Sequence, residues 1–429
     1  MFKKAAALGV AFALLAAPML ANEGDVPKGV PHLDHVFVIM MENHAYGQIV
    51  GNPSAPFANK YMQSANAANN YFAVAHPSLT NYLEVVGGSN FGVHTDNSPD
   101  WHNTNCVTNL SSGIAATDVP SSPNVCPIWG TGTDAATPTF DFTNETTPPT
   151  VTEVTNIDGV ESIPAAANTS GKTIADQLVE RGMSWKSYQE SLPSAGADGV
   201  NNADGFFSNV LTITSLLPAE KQTLINLYAV KHNPFAYFLN VEQGADPDNS
   251  LKNIVGFEGK HGLFEDLESG HVPTYSFIAP NQCNDQHGRG NAGPQCDFDP
   301  SSTGTQVGLN PALIYAGDLA IRNLVKAIHS SPAWQHGKNA IVVLWDENDY
   351  SATPNINQVL SIVDTNYGVR GLQSAVRYTH FSLLKTIEGG FGLPCLNHAC
   401  DDNTKVMSDL FAGDHDRDHD RDHDNHGDN

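Results

Sequence analysis

The amino-acid sequence predicts an α/β fold in which helices flank a central, mostly parallel sheet. Two unbroken apolar runs, Val36 to Met41 and Ile341 to Trp345, carry this prediction. Apolar runs without polar alternation are typical of strands covered on both faces, as the strands of parallel sheets are. A third observation is a helical pattern at Ile174 and Leu178, which stops at Gly182 and precedes the strand-like segment WKSY. Such helix-then-strand units build doubly wound sheets.

A short amphipathic helix is predicted to begin near Ser78 and to stop at Gly87 and Gly88. Its apolar side chains recur at i, i+3, i+4 and i+7, namely at Leu79, Tyr82, Leu83 and Val86. Ser78 then lies at a helix N-terminus, where backbone N–H groups and the helix dipole attract anions. A plain N-cap serine is the alternative interpretation, because serine is a common N-cap.

The remaining elements are predicted from shorter patterns. Residues 52–70 read as a loop that contains one short helix, Pro56 to Ser64. Thr274 to Ala279 reads as a strand, and Pro311 opens a long helix. A last helix begins after His380 and is expected to end at the paired glycines of the segment IEGGFG.

The chain divides into four parts by composition. Residues 1–21 have two lysines, a short apolar core and a terminal Ala21, which indicates a secretory signal peptide and not a membrane span. Residues 22–412 are predicted to form one domain, interrupted at 98–169 by a loop-rich insertion. Residues 413–429 form an Asp/His-rich tail that is too polar to build a core and is expected to be disordered. Weak metal binding by the tail is the alternative.

Because of the predicted signal peptide, the protein is expected to be secreted or periplasmic.

The acidic balance excludes one class of partner. The chain has 46 Asp and Glu against 21 Lys and Arg, a formal charge of −25. Such a charge opposes binding to a nucleic-acid backbone. The six cysteines of an exported chain suggest three disulfides, and pairing of nearest neighbours gives Cys106 with Cys126, Cys283 with Cys296 and Cys395 with Cys400. A zinc site is the alternative, but paired CxxC spacing is absent.

Polar groups follow three of the predicted strands. These groups are Glu42 with Asn43, Asp285 with His287, and Asp346 with Glu347. Ligands of an open α/β sheet bind outside the carboxyl ends of its strands, so these groups form a candidate site. Carboxylates with a few imidazoles suit a divalent cation such as magnesium, calcium, manganese or zinc. With Ser78 as nucleophile, the natural chemistry is phosphoryl or sulfuryl transfer through a seryl intermediate.

An acyl hydrolase and a nucleotide hydrolase with a phosphate loop are two alternatives to this hypothesis. Ser78, His287 and Asp346 could be drawn as the triad of an acyl hydrolase, but the GxSxG nucleophile elbow is missing because Ser78 lies in HPSLT. A GxxxxGK[ST] phosphate loop is also missing, which opposes nucleotide hydrolysis by that route.

Seven motifs in one order resemble a known family. They are ENHAY, HPSLTNYLEVVGG, WKSYQESLP, KHNPFAYF, PNQCNDQH, LWDEND and YTHFSLLKTIEGGFGLP, and they extend from about His35 to Pro394. The chain resembles the secreted phosphoesterases that include acid phosphatases and bacterial phospholipases C, in the alkaline phosphatase superfamily. The resemblance implies an alkaline-phosphatase-like sandwich and a hydrolase of phosphoric esters.

The resemblance also implies roles for individual residues. Ser78 would form the phosphoseryl intermediate, with His287 as the second catalytic residue. The metal ligands would be Glu42, Asn43, Asp346, Glu347 and His380. The substrate-binding residues would be Asn81, Lys231, His232 and Asp285. The cofactor is a divalent metal ion, and the substrate is a phosphorylated small molecule or a phospholipid headgroup.

The motifs favour a phosphomonoesterase over a phospholipase C. The opening motif ENHAYGQIVG is more similar to the phosphatase branch than to the ENRSFDHYFG of the phospholipases, although Ala45 stands where the family commonly has serine. The late acidic pair also lacks the glycine-glycine-aromatic continuation of the phospholipase branch. A secreted module that binds phosphate or metal without catalysis is the alternative outside enzymes; the joint presence of nucleophile, acidic pair and histidines opposes it.

Overall fold

The protein is described by a computed structural model. It covers residues 23–24, 29–93, 95–99, 124–134, 138–140, 152–154, 157–158, 161–164, 166, 168–193, 210–212, 223–225, 227–298, 310–349 and 356–412. The expected signal peptide (1–21), the Asp/His-rich tail (413–429) and Cys106 lie outside the described residues. The domain boundaries and the insertion at 98–169 stay predictions.

A nine-stranded mixed sheet forms the centre of the fold. Its strands are β1 His35–Met41, β2 Asn66–Phe72, β3 Trp185–Gln189, β4 Ile254–Gly256, β5 Tyr275–Ala279, β6 Asn339–Trp345, β7 Gln358–Thr365, β8 Gln373–Ser374 and β9 Tyr378–Thr379. The order is β4-β3-β5-β1-β6-β7-β2-β8, with β9 also paired to β2. Only the two ladders of β7, with β6 and with β2, are antiparallel. The predicted mostly parallel α/β sheet is confirmed.

The direction of the strands brings the carboxyl ends of several of them to one edge of the sheet. β5, β1 and β6 are parallel neighbours. Because β7 is antiparallel to both β6 and β2, β2 runs in the direction of β6, and β9 runs with β2. The carboxyl ends of β1, β2, β5, β6 and β9 therefore face the same edge of the sheet.

Helices cover the sheet. They are α1 Tyr46–Ile49, α2 Pro56–Ser64, α3 Ser78–Gly87, α4 Ile174–Glu180, α5 Leu239–Gln243, α6 Leu263–Ser269, α7 Pro311–Ser330, α8 His380–Phe391 and α9 Ser408–Phe411. Short 3₁₀ helices lie at Val230–His232, Pro234–Tyr237, Leu251–Asn253, Gly290–Ala292, Pro294–Cys296, Pro332–Gln335 and Asn397–Cys400. Among the described residues, no helix is both long enough and apolar enough to cross a bilayer.

Short two-stranded ladders form separate sheets beside the nine-stranded sheet. They pair Glu23–Gly24 with Cys395–Leu396, Ser98–Pro99 with Asn124–Val125, Thr131–Gly132 with Thr169–Ser170, Pro138–Phe140 with Thr152–Val154, Ile157–Asp158 with Glu161–Ser162, and Val210–Thr212 with Thr223–Ile225.

Two predicted disulfides, Cys283–Cys296 and Cys395–Cys400, are confirmed, which removes the zinc alternative for these four residues. Cys126 is also disulfide-bonded.

Three predictions of local structure need correction. Asn66–Phe72 is an inner strand, not part of a loop, because pairing with β7 and β8 compensates for the low strand propensity of its asparagines. The sheet also gains Gln358–Thr365, which the sequence did not predict. Helix α8 does not end at the paired glycines. It continues to Phe391, and Gly392 in the left-handed region (φ +65°) ends it.

Candidate active site

Two adjacent parallel strands bring the first pair of carboxyl groups together. The seven residues of β1 pair with the seven of β6, up to Met41 opposite Trp345. Glu42 and Asp346 are the next residues, and the Asp346 N–H donates to the Met41 carbonyl at 2.9 Å. Both side chains are fully buried. Burial, reinforced by the Asp346 charge, raises the pKa of Glu42; burial, reinforced by Glu347, raises the pKa of Asp346.

The nucleophile candidate is held between two carboxyl groups. Ser78 is the first residue of α3, and Pro77 occupies the N-cap position without a side-chain cap. The Ser78 hydroxyl lies 3.0 Å from Glu42 Oε2 and 3.3 Å from Glu347 Oε1, and its single proton can be donated to either acceptor. The plain N-cap interpretation therefore does not describe Ser78. Its oxygen lies beside two potential proton acceptors at the carboxyl edge of the sheet.

Glu347 is fixed by two further residues. Asn81, one turn after Ser78 on α3, donates from Nδ2 to Glu347 Oε2 at 3.0 Å. Its Oδ1 accepts the N–H groups of Val74 and Ala75, which ties the helix to the segment after β2. His76 Nδ1 lies 2.8 Å from Glu347 Oε2. These contacts orient the Glu347 carboxylate so that its other oxygen faces the Ser78 hydroxyl.

A buried histidine lies between two further carboxyl groups. His232 Nδ1 is 3.1 Å from Asp285 Oδ2, and His232 Nε2 is 3.1 Å from Glu42 Oε1. The Tyr82 ring stacks on the imidazole at 5.3 Å with an interplanar angle of 8°. Burial, with His287 and Lys231 nearby, lowers the pKa of His232 well below its usual range. A neutral imidazole has one N–H, so only one carboxyl group can accept from it.

His287 completes a cluster with Glu42 and His232. Its Nδ1 lies 2.7 Å from the Gly288 carbonyl oxygen and must donate to it, which leaves Nε2 deprotonated because burial lowers the pKa of this imidazole. One potential ligand atom from each of Glu42, His232 and His287 lies within 4.8 Å of the other two. Asp285 Oδ1 accepts the backbone N–H of His287 at 2.7 Å, and its Oδ2 lies against His232, so this carboxyl group links the two residues.

The donor set fits a divalent cation. The buried polar atoms without hydrogen-bond geometry to any partner include Glu42 Oε1, His232 Nε2, Asp285 Oδ2 and Asp346 Oδ2. Buried acidic groups without compensation are costly, which is why burial raises the pKa values of Glu42, Asp285 and Asp346. A cation would remove that cost, and carboxylate with imidazole is a ligand set that suits zinc, manganese or a similar ion. An Asp–His pair behind a metal is also a common way to orient the ligand imidazole.

Two predicted metal ligands have other contacts. The His380 Nε2 lies 2.6 Å from the Asp346 carbonyl oxygen, and Nδ1 lies 3.2 Å from the Tyr71 hydroxyl, so both ring nitrogens are engaged. Burial lowers the pKa of His380 to about 4. Asn43 adopts φ +55° and donates its backbone N–H to Asp346 Oδ1 at 3.1 Å. In this arrangement both residues position Asp346.

Lys231 lies close to the site, and it forms an ion pair with Asp96, a residue that was not predicted to belong to the site. Its Nζ lies 2.8 Å from Asp96 Oδ2, and both side chains are buried. Asp96 Oδ1 accepts the Leu79 N–H at 3.0 Å, at the start of α3. Lys231 nevertheless acts electrostatically on Glu42, His232 and His287. Asp96 therefore anchors the start of the helix that carries Ser78, and Lys231 is the partner that acts on the charged groups of the site.

The acyl-hydrolase triad is not assembled among the described residues. The hydrogen bonds of the Ser78 hydroxyl go to Glu42 and Glu347, and neither acceptor is an imidazole. His287 directs Nδ1 to the Gly288 carbonyl oxygen instead of a carboxylate. An imidazole in contact with the serine is the minimum for that mechanism.

Sequence reasoning missed His76 and Asp96. His76 precedes Ser78 by two residues in the motif HPSLT, so its place beside the nucleophile was a usable signal. Asp96 lies in a polar segment after the glycines that follow α3, and nothing in its neighbours indicates a contact with Lys231.

Comparison with known proteins gives relatives of low identity. The chain is 22% identical to an acid phosphatase of Aspergillus fumigatus, over 76% of this chain and 48% of that protein. It is 24% identical to a probable acid phosphatase of Kluyveromyces lactis, over 86% and 60%. The chain thus spans about half to three fifths of these fungal relatives. It is also 23% identical to a phosphatidylinositol-3-phosphatase of Mycobacterium tuberculosis, over 96% and 94%.

A solved structure and a family model were also matched. A protein of the alkaline phosphatase superfamily from Vibrio parahaemolyticus aligns with 12% identity and a TM-score of 0.46, over 92% of this chain and 75% of that one. The model described as the phosphoesterase family matches residues 52–295, more than half of the chain and a range that includes Ser78, His232 and His287. The chain therefore belongs to the phosphoesterase family, as its motifs predicted.

Proposed function

We propose that this protein is an exported, metal-dependent phosphomonoesterase of the acid-phosphatase type that acts through a phosphoseryl intermediate at Ser78. The observation that carries the proposal is the position of the Ser78 hydroxyl, between Glu42 and Glu347 and beside the buried Glu42–His232–His287 cluster. A nucleophile, proton acceptors and a cation site at one sheet edge are the components that phosphoryl transfer requires.

The cation site has a defined role in this proposal. Glu42, His232 and His287 would hold the ion, with Asp346 adjacent and Asp285 orienting His232. A divalent cation bound there would neutralise phosphate charge and favour ionisation of the serine hydroxyl. Its identity is open among calcium, magnesium, manganese and zinc.

The residues of the chain perform the two transfer steps. Ser78 Oγ attacks phosphorus, its proton passes to the Glu347 carboxylate, and the bond from phosphorus to the ester oxygen breaks as the alcohol leaves with a proton. Water then attacks the phosphoseryl group, the bond from phosphorus to Ser78 Oγ breaks, and the serine regains a proton. Asn81 keeps Glu347 oriented throughout. Asp96 holds the start of α3, and its partner Lys231 is the positive group that acts electrostatically on Glu42.

The relatives support a monoester as substrate. The relatives include an acid phosphatase and a phosphatidylinositol-3-phosphatase, and a phosphatase releases phosphate from a monoester. The disulfides Cys283–Cys296 and Cys395–Cys400 support an oxidising location, secreted or periplasmic. A phosphorylated small molecule or a phospholipid headgroup is the proposed substrate class.

Replacement of Ser78 tests the proposal. We expect Ser78→Ala to lower kcat for 4-nitrophenyl phosphate by about a thousandfold or more, because the covalent route is lost. The matched control is Ser276→Ala, which removes the hydroxyl of a buried serine on β5 and should leave kcat within about twofold. Acid quenching of the wild type during turnover, followed by peptide mass spectrometry, should locate phosphate on Ser78.

Two results would overturn the proposal. Near-normal turnover by Ser78→Ala would remove the nucleophile from the mechanism. A substrate panel that includes phosphatidylcholine tests the reaction class, because preferential cleavage of that diester would make the protein a phospholipase C instead.

A further inference from the structure

A second polar cavity lies outside the candidate active site. It has a volume of about 280 Å³. Its polar lining comes from Arg377, Thr379, Ser382, Asn403, Thr404 and Lys405. Since a water molecule occupies roughly 30 Å³ of liquid, the cavity has room for an anion of phosphate size with several waters.

The charge of the lining is opposite to that of the chain. Basic residues are outnumbered 21 to 46 in the sequence, yet this cavity contains one arginine and one lysine. The Arg377 guanidinium is held over the Phe72 ring, 5.6 Å from its centroid, while Lys405 is exposed. The Thr404 hydroxyl donates to the His398 carbonyl oxygen. A guanidinium, an ammonium, the hydroxyls of Thr379 and Ser382 and an amide are further donors in the lining, and they suit a phosphate oxygen shell.

The one acidic residue in the lining has its charge compensated elsewhere. Asp401 Oδ2 lies 2.6 Å from His398 Nδ1. The opposite nitrogen of this imidazole lies 2.5 Å from Asp134 Oδ2, so both carboxylates share one imidazolium. The lining therefore holds two cations against one carboxylate, and that carboxylate also contacts His398.

The cavity lies at the edge of the sheet that carries the candidate active site. Thr379 ends β9 and pairs with Phe72, the last residue of β2, from which the chain leads on to Ser78. The next residue, His380, contacts the Asp346 carbonyl oxygen at 2.6 Å. His380, which contacts the acidic site, therefore lies in the chain between two residues that line the cavity, Thr379 and Phe381.

We propose that the cavity lined by Arg377 and Lys405 is an anion subsite that binds phosphate, either as the free ion or as the second phosphate of a bisphosphorylated substrate. The binding of phosphate stands on the cavity alone. The placement of a second substrate phosphate there rests on the proposed function of the Ser78 site.

Equilibrium dialysis with radiolabelled inorganic phosphate tests binding. We expect the full chain to bind one phosphate more than the double variant Arg377→Gln/Lys405→Gln. Lys405→Gln alone keeps the packing of Arg377 on Phe72, and it should weaken the additional phosphate about tenfold, the usual effect of losing one charge-assisted contact. Lys326→Gln, which removes an exposed lysine of α7, is the matched control and should bind as the wild type does. Equal phosphate binding by all four proteins would overturn the subsite.

Kinetics separate the two sources of phosphate. Fructose 6-phosphate and fructose 1,6-bisphosphate are compared as substrates of the wild type, Lys405→Gln and Lys326→Gln. A substrate-borne second phosphate predicts an approximately tenfold higher KM for the bisphosphate in Lys405→Gln, with its kcat and both constants for the monophosphate unchanged. If only dialysis changes, the ligand is free phosphate. Equal losses for both sugars would overturn the subsite as separate from the active site.

Failure of the proposed function gives a different result. If the wild type hydrolyses neither sugar phosphate nor an aryl phosphate, the phosphoesterase proposal fails, while dialysis still decides whether the cavity binds phosphate.

Discussion

Two buried histidines of this protein are each held between two carboxyl groups, but their ionisation is opposite. His232 lies between Glu42 and Asp285, and His398 lies between Asp134 and Asp401. The contacts are 3.1 Å on both sides of the first imidazole, and 2.5 and 2.6 Å on the two sides of the second. One arrangement of residue types therefore serves two purposes.

The His398 cluster is a closed ion pair. Burial lowers the pKa of His398, but the hydrogen bonds and charges of Asp134 and Asp401 outweigh burial and raise the pKa to about 10. Asp134 is stabilised by the Ser89 hydroxyl and the Asn90 N–H. One imidazolium is the counter-charge of both carboxylates, and the second carboxylate, Asp401, is also exposed to solvent.

The His232 cluster is open. Burial is the main cause that lowers the pKa of its imidazole, and the electrostatic interactions with His287 and Lys231 lower it further. The two flanking carboxyl groups have raised pKa values because burial disfavours their charged forms, reinforced at Glu42 by the charge of Asp346 and at Asp285 by the charge of Glu42. The two units contain the same residue types, so their opposite pKa shifts follow from the balance between burial and the hydrogen bonds and charges of the flanking carboxyl groups.

Replacement of Glu42 is expected to have the largest effect. Glu42→Gln removes the carboxylate shared by His232 and Ser78. We expect kcat/KM for 4-nitrophenyl phosphate to fall about a thousandfold, because both the cation site and a contact of the nucleophile are damaged. The matched control is Glu84→Gln on α3, because Glu84 is equally buried and burial raises its pKa as it raises that of Glu42. A comparable loss in both variants would contradict the assignment.

Replacement of His398 should reduce stability and leave the chemistry unchanged. His398→Gln leaves Asp134 buried without its cation, which is expected to lower the free energy of unfolding by about 3 kcal/mol. Chemical denaturation at pH 7 measures this change. Activity per folded molecule should stay within about twofold of the wild type. A tenfold loss of kcat at full folding would place His398 in the catalytic machinery and break the comparison.

Replacement of Asp285 is expected to act through His232. Asp285→Asn keeps the shape but weakens the acceptor that orients the imidazole. We expect the affinity for the divalent cation to fall about 10- to 100-fold, as for other carboxylates behind a ligand histidine. Titration of the chelator-treated protein with manganese, followed by activity, measures it. Asp401→Asn is the control at the other histidine, and an equal loss of cation affinity there would count against the distinction.

The pH dependence of stability gives the smallest effect. The pKa of His398 is raised to about 10, so its stabilisation is complete below its usual pKa and is lost as the pH rises to about 10. Between pH 7 and 9 the wild type should lose up to about 1 kcal/mol per pH unit relative to His398→Gln. Thermal unfolding of both proteins over this range tests the sign. Parallel curves would show that His398 is neutral in the folded state.

The elements that could be predicted from the sequence are those with a strong local pattern. The apolar run of β1 and the one of β6 indicated buried strands, and the polar residues after them, Glu42 and Asp346, were expected at the site. Helix α3 was predicted with its first residue, Ser78, and its glycine stop. These features depend on periodicity and on the topology of parallel sheets, both of which are visible in sequence.

The rest depends on contacts distant in the chain. His232 and Asp285 were expected to bind substrate, and only the packing of the 3₁₀ helix at Val230–His232 against the sheet edge brings them to Glu42. His380 was expected to bind metal, but its ring nitrogens contact Tyr71 and the Asp346 carbonyl oxygen. The direction of a side chain after a strand or before a helix is set by its partners, which a single sequence does not reveal.

Metal analysis of three full-length proteins tests the central claim most directly. The wild type, His232→Asn and His398→Gln are dialysed against manganese or zinc, and the bound metal is counted by plasma mass spectrometry. The Asp/His-rich tail is the same in all three, so differences between them report on the two clusters. We expect His398→Gln to hold as much metal as the wild type and His232→Asn to lose one ion per chain. Full metal content in His232→Asn, or an equal loss in His398→Gln, would contradict the account.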